Sequence, residues 1–135
     1  METTAKTSDR SQTSANAAPF PTVGILGGGQ LGKMMAAAAV RLGVRVRLLS
    51  PKPAGPMAFY ADTTVADWRD PDVLRAFAEP CDVITVESEW APAAEMAAVL
   101  PEGTALWPRP ETIDVISHKG RQKTRLAEAG LPVPD

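Results

Sequence analysis

The sequence predicts an α/β fold in which a parallel sheet is flanked by helices. From Thr22 onward, short apolar runs alternate with segments of helical periodicity, a pattern typical of βαβ units. The first apolar run is followed by Gly27, Gly29 and Gly32, and helical periodicity begins directly after them. Ligands of such sheets bind at the carboxyl ends of the strands, so the residues that follow each strand are the candidate site residues.

The predicted strands are short and largely apolar. The first ends in glycines, as a buried parallel strand before a tight turn would. The second is followed by SPKPAGP, in which three prolines indicate a loop. The five predicted strands are TVGIL, VRVRLL, TTVAD, CDVITVES and TALW.

The helices are predicted from periodicity and from their ends. Apolar residues recur at helical spacing from Leu31 to Leu42, and Gly43 stands where a C-terminal cap is expected. Asp70 can cap a helix that begins at Pro71 and runs to about Ala78. The later predicted helices are APAAEMAAVL, PETIDVI and HKGRQKTRLAEAG, the last ending at Gly130.

The chain divides into a tail and one domain. Residues 1–19 are rich in Ser, Thr and Ala and lack large apolar side chains, so they are predicted to form a disordered tail. They also lack the apolar stretch of a secretory signal, and acidic residues offset the few basic ones that a transit peptide would need. Residues 20–135 are predicted to form the folded domain.

Composition excludes several classes of protein. The net charge is -2, so no overall basic field attracts nucleic acid or an anionic membrane. Cys81 is the only cysteine, which excludes an internal disulfide and a four-cysteine zinc site and fits a reduced, cytoplasmic location. No apolar run approaches the roughly 18 residues that span a bilayer.

The three spaced glycines match the G-x-G-x-x-G pattern of phosphate-binding turns. Gly27 permits the tight turn, Gly29 lets an anion approach the backbone amides at the helix start, and Gly32 allows the helix to pack closely on the strand. The alternative is a glycine turn that serves packing alone.

The second strand bears on the choice of cofactor. A dinucleotide site needs an acidic residue at its end to bind the adenosine ribose, but Ser50 stands there and no acid follows before Asp62. An NADP-binding oxidoreductase domain stays open as an alternative, because Ser50 and Lys52 can hold a 2′-phosphate.

Two carboxylates follow the fourth strand. Glu87 and Glu89, separated by Ser88, stand at the end of that strand, and they are expected to point to opposite faces of it, with at most one facing a given ligand. A carboxylate at this edge can accept hydrogen bonds from sugar hydroxyls. The alternative is that both are surface charges. No His or Asp lies near enough in sequence to support acid–base chemistry or a metal site.

Three segments together resemble a known family. VGILGGGQLGKMM, CDVITVESEWAP and HKGRQKTRLAEAGLPVP are similar to the N-terminal portion of N5-carboxyaminoimidazole ribonucleotide synthetases, the ATP-grasp ligases also called the ATPase subunit of phosphoribosylaminoimidazole carboxylase. The resemblance spans residues 22–134. It implies a Rossmann-like pre-ATP-grasp domain that binds no dinucleotide and whose glycine turn faces a ribonucleotide.

The resemblance also implies roles for individual residues. It places Lys119 at an ATP phosphate and leaves the role of Lys123 open, and it implies no catalytic residue and no metal ligand in this chain. The residues implied to bind the substrate are Gly29, Gln30, Leu31 and Glu87. Those implied to shape the glycine turn are Gly27, Gly28 and Gly32.

The implied parent enzyme joins bicarbonate to 5-aminoimidazole ribonucleotide in purine biosynthesis, using ATP and Mg²⁺. In the family, the lobes that hold most of the ATP chemistry begin near Asp135, so this 135-residue chain alone is expected to be inactive. If the pure 135-residue protein released phosphate from ATP only when 5-aminoimidazole ribonucleotide was present, the expected inactivity would be wrong. A non-catalytic ribonucleotide-binding module is a further alternative. Without the lobe that residues 118–130 would pack against, Leu126 and Leu131 are expected to be exposed, which makes a homodimer an expected partner.

The sequence departs from the family at three positions beside the predicted site. Ser50 replaces an acid that often follows the second strand. Trp90 stands where the family commonly has Asn, and His118 stands where it usually has Asp. A tryptophan at position 90 can either stack on a ligand or pack against the protein.

Overall fold

A five-stranded parallel sheet with the strand order β3-β2-β1-β4-β5 forms the centre of the described part of the chain. The computed structural model describes residues 20–53, 55 and 59–134; the predicted tail, residues 1–19, lies outside them. The strands are β1 Thr22–Leu26, β2 Arg45–Ser50, β3 Asp62–Val65, β4 Val83–Val86 and β5 Ala105–Leu106. The helices are α1 Gln30–Arg41, α2 Pro71–Ala78, α3 Ala93–Val99, α4 Pro110–Ser117 and α5 Lys119–Glu128. The predicted α/β fold is confirmed.

The strand order reverses at β1, and this reversal positions the site. Leu26 pairs with Leu49 on one side and with Val86 on the other, so the carboxyl ends of β1, β2 and β4 lie at one edge of the sheet. In open α/β sheets, the crevice beyond such a reversal is the usual place for a ligand.

Apolar side chains cover both faces of the sheet. On the face toward α2 and α3, Leu26, Leu49 and Ile84 pack with Leu74, Phe77 and Met96. On the face toward α1, Ile25 and Leu48 pack against Ala36. Gly24 leaves room for the first cluster, because a Cβ there would lie 2.6 Å from Cδ1 of Ile84.

Helix α1 packs through its smallest residues. Gly32 and Ala36 are its buried residues, whereas Leu31 and Met34 are 60% and 61% exposed. Apolar spacing therefore predicted the helix correctly, but the apolar side chains that defined the spacing point largely to solvent. Small residues on the packed face bring the helix close to the sheet, which positions the turn before it.

The predicted helix ends are confirmed. The Asp70 carboxylate accepts a hydrogen bond from the amide of Asp72 at 2.9 Å, with Pro71 in the first turn of α2. Gly43 and Gly130 follow α1 and α5 with φ angles of 68° and 73°, the left-handed conformation that glycine adopts most readily.

Three predicted strands are longer than the observed ones, and one of them, TALW, contains only Ala105–Leu106 as strand. CDVITVES contains only Val83–Val86 as strand, because the amide of Cys81 instead donates to Ala78 in the turn that ends α2. TTVAD is replaced by Asp62–Val65, which begins one residue earlier and pairs with β2.

Burial raises the pKa of the Cys81 thiol to about 11. The nearby Arg47 guanidinium opposes that shift, and Asp82 adds to it. A thiol with this pKa stays protonated near neutral pH, so Cys81 is a core residue and no nucleophile.

Across the described ranges, no helix is long and apolar enough to cross a membrane, and no group of three or more His, Cys, Asp or Glu residues could hold a metal ion.

Helix α5 is the most exposed helix of the domain. It has no buried residue and packs on α4, and both Leu126 and Leu131 are exposed, as expected. We therefore expect its amides to exchange with deuterium much faster than those of α2, which buries Leu74 and Phe77. Slow exchange in α5 of a chain shown to be monomeric would contradict this; slow exchange in a dimer would place α5 in the interface.

Candidate functional site

The turn between β1 and α1, residues 27–29, is called the glycine loop below. Gly27 has a φ of 122°, and its amide donates to the carbonyl of Leu49 at 2.9 Å. A Cβ on Gly27 would lie 2.2 Å from Cγ of Glu87. Both its conformation and its lack of a side chain are therefore required here.

Glu87 links the end of β4 to the start of α1. Its amide donates to the carbonyl of Leu26 at 3.0 Å, and its Oε2 accepts the amide of Gly32 at 2.8 Å. Its Oε1 lies over Gly29, 2.7 Å from the position that a Cβ would occupy. A carboxylate at a helix N-terminus is favoured by the helix dipole. The anion at this N-terminus is thus a side chain of the protein itself.

Two other amides of the first turn are available to a ligand. Within the part of the chain that the structure describes, no acceptor takes the amides of Gln30 and Leu31, whereas that of Gly32 is bonded to Glu87. The side chains of Gln30 and Leu31 are exposed. Free amides at the start of a helix are hydrogen-bond donors suited to an anion.

Two clefts meet at Glu87 and Ser88. The first, of about 400 Å³, is called the glycine-loop cleft; its lining includes Gly27, Gly28, Gly29, Ser50, Trp68, Glu87, Ser88 and Trp90. The second, of about 340 Å³, is called the α5 cleft; its lining includes Glu87, Ser88, Glu89, Pro108, Lys119 and Gln122. Glu87 therefore borders both.

The structure brings together some of the predicted site residues and not others. Glu87 and the glycine loop share one cleft, and Glu87 and Lys119 share the other. Gln30, Leu31 and Lys123 border neither of these two clefts.

The expected difference between the two glutamates is wrong, since Glu87 and Glu89 both border the α5 cleft. Residues two positions apart on a strand share a face, and the regular strand ends at Val86, so alternation does not separate these two side chains. Glu87 differs from Glu89 instead by its hydrogen bond to the start of α1.

Ser50 is poorly placed to bind the 2′-phosphate of NADP. The residue is only 6% exposed, and its Oγ accepts the amide of Lys52 at 3.2 Å. A Cβ on Gly28 would lie 3.1 Å from the same Oγ, so the hydroxyl lies against the glycine loop. Ser50 and Lys52 both border the glycine-loop cleft, so a titration with NADPH decides the NADP alternative.

His118 caps α5. Its Nδ1 accepts the amide of Arg121 at 3.4 Å, and the Arg121 guanidinium pairs with Asp114 of α4. The imidazole thus performs the capping role that a carboxylate would have at this position, and it keeps Lys119 in the first turn of the helix.

Sequence reasoning missed Trp68, which borders the glycine-loop cleft. Trp68 is partly buried against the core cluster below it. Trp68 directly follows the predicted strand TTVAD, so the rule that the residues after each strand are candidates could have found it.

Most of the domain matches a known family. The model of the ribonucleotide synthetase preATP-grasp domain matches residues 20–117. The N5-carboxyaminoimidazole ribonucleotide synthase of Pseudomonas aeruginosa is 34% identical over 113 residues, covering 84% of this chain and 31% of that protein. The N5-carboxyaminoimidazole ribonucleotide synthetase from Thermotoga maritima matches with a TM-score of 0.73 at 34% identity, over 86% of this chain and 32% of that one.

A third relative was solved with ligands. The N5-carboxyaminoimidazole synthase from Aspergillus clavatus, in complex with ADP and 5-aminoimidazole ribonucleotide, matches with a TM-score of 0.73 at 29% identity, over 86% of this chain and 31% of that one. The chain thus spans about a third of the length of these relatives. These similarities confirm the resemblance seen in the sequence: the chain belongs to the ribonucleotide synthetase preATP-grasp domain family.

Proposed function

We propose that this chain is the substrate-binding domain of an ATP-dependent carbon–nitrogen ligase of purine biosynthesis. The reaction carboxylates 5-aminoimidazole ribonucleotide with bicarbonate and consumes ATP. The observation that carries the proposal is the position of Glu87, which is fixed against the glycine loop and borders both clefts. The family match and the ribonucleotide held by the Aspergillus clavatus relative support it.

The phosphate and the ribose of the substrate are proposed to bind different groups of the protein, because those groups differ in charge. The amides of Gln30 and Leu31 suit the phosphate, because they are donors at the positive end of α1. The Glu87 carboxylate repels a phosphate but accepts hydrogen bonds from ribose hydroxyls. The glycine loop permits both interactions, because its lack of side chains leaves room for Glu87 beside the backbone.

Lys119 supplies a positive charge on the ATP side of the proposed site. It borders the α5 cleft together with Glu87, so an ATP phosphate paired with Lys119 would lie next to the ribonucleotide. Magnesium would accompany ATP, and the described residues offer no cluster of carboxylates to hold it. ADP is present in the Aspergillus clavatus relative.

Backbone NMR of the chain tests the proposal residue by residue. Adding 5-aminoimidazole ribonucleotide should shift the amide signals of Gln30, Leu31 and Gly32 in a saturable manner. The signal of Gly103, in the turn before β5 at the opposite edge of the sheet, should stay unchanged. Saturable shifts elsewhere in the domain, with none in the first turn of α1, would contradict the proposed site.

A further inference from the structure

Trp90 lies in the turn after β4 and is 66% exposed. The residues that follow it are buried: Ala91 is 6% exposed and Ala93 is 3% exposed. The segment is thus anchored to the domain by its small residues, while its one large aromatic side chain is left at the surface. An exposed indole does not gain the free energy that burial of its apolar surface would provide. Here the indole borders the glycine-loop cleft.

Ser88 holds the turn that presents Trp90. Its Oγ accepts the amide of Trp90 at 3.2 Å, and its carbonyl accepts the amide of Ala91 at 3.1 Å. Trp68 borders the same cleft but is partly buried against the core. The cleft is therefore bordered by Glu87, a hydrogen-bond acceptor, and by two aromatic side chains, of which Trp90 is the more exposed.

We propose that Trp90 is a specificity-determining residue that stacks on the planar heterocycle of the bound ribonucleotide. The inference rests on the proposed function, in which Glu87 and the first turn of α1 hold the phosphoribosyl group. Because Glu87 and Trp90 border the same cleft, a planar ring attached to a sugar held at Glu87 can extend toward the indole. Aromatic side chains bind flat heterocycles through their faces, independently of hydrogen-bond pattern.

The test compares two ligands that differ only in the heterocycle, 5-aminoimidazole ribonucleotide and ribose 5-phosphate. Stacking on one base is worth roughly a tenfold change in affinity or more. Trp90→Ala should therefore weaken binding of the ribonucleotide about tenfold and leave binding of ribose 5-phosphate unchanged, whereas Trp90→Phe should retain most of the ribonucleotide affinity.

Trp107→Ala is the matched control. Trp107 is also exposed, but it pairs with the Arg109 guanidinium and borders neither the glycine-loop cleft nor the α5 cleft. Its removal should change the affinity for neither ligand. Thermal melting of each variant checks that the domain remains folded.

The outcomes separate this inference from the function on which it rests. If wild type binds ribose 5-phosphate and Trp90→Ala weakens both ligands equally or neither, the stacking role is wrong and the ribonucleotide site stands. If wild type binds neither ligand, the proposed function fails and the stacking role fails with it.

Discussion

Replacing Gly29 by valine is expected to abolish most of the affinity for phosphoribosyl ligands. The backbone at Gly29 has a φ of -90°, which valine can adopt, so the effect comes from the side chain. A Cβ there would lie 2.7 Å from Oε1 of Glu87 and would displace the carboxylate. It would also block the approach of a ligand to the amides of Gln30 and Leu31.

The loss can be estimated from the bonds removed. Two charge-assisted hydrogen bonds, at about 1.5–3 kcal/mol each, correspond to a loss of roughly 100-fold or more. Titration calorimetry with ribose 5-phosphate measures it. Gly55→Val is the matched control, because no described atom lies within 4 Å of a Cβ at that position. Unchanged affinity in a folded Gly29→Val protein would exclude the glycine loop from the site.

Replacing Glu87 by glutamine is expected to weaken binding of 5-aminoimidazole ribonucleotide by roughly one to two factors of ten. Glutamine keeps the shape and one acceptor oxygen, so the bond to Gly32 can persist. It removes the charge and replaces one acceptor of the ribose hydroxyls with a donor. Binding of inorganic phosphate should stay the same or improve slightly, because a neighbouring negative charge is lost.

Two comparisons make this result specific. Glu102→Gln, in the exposed turn before β5, should change binding of neither ligand. The effects of Gly29→Val and Glu87→Gln should be less than additive in the double variant, because both act on the same carboxylate. If Glu87→Gln binds the ribonucleotide as tightly as wild type, Glu87 only caps α1 and has no role in binding.

Local features of the sequence predicted the elements, and long-range contacts defined the site. The N-cap at Asp70 and the glycines after α1 and α5 act over a few residues, so their roles could be predicted. The bond between Glu87 and Gly32 joins residues 55 positions apart. It depends on β1 pairing with β4, which no local pattern specifies.

Periodicity has a related limit. It indicates that a segment is helical, but it does not indicate which side the rest of the domain covers. In α1 the covered side is formed by Gly32 and Ala36, which carry little of the apolar signal. For the same reason the sequence left Trp90 open between packing and stacking, and its exposure beside the glycine-loop cleft became known only from the structure.

We propose that the Rossmann-like glycine turn of this domain serves a ribonucleotide and not a dinucleotide. Calorimetric titration of the chain with 5-aminoimidazole ribonucleotide and, separately, with NADPH tests it most directly. We expect saturable binding of the ribonucleotide that Gly29→Val removes, and no saturable binding of NADPH. Tight binding of NADPH that Gly29→Val abolishes, with no binding of the ribonucleotide, would contradict it.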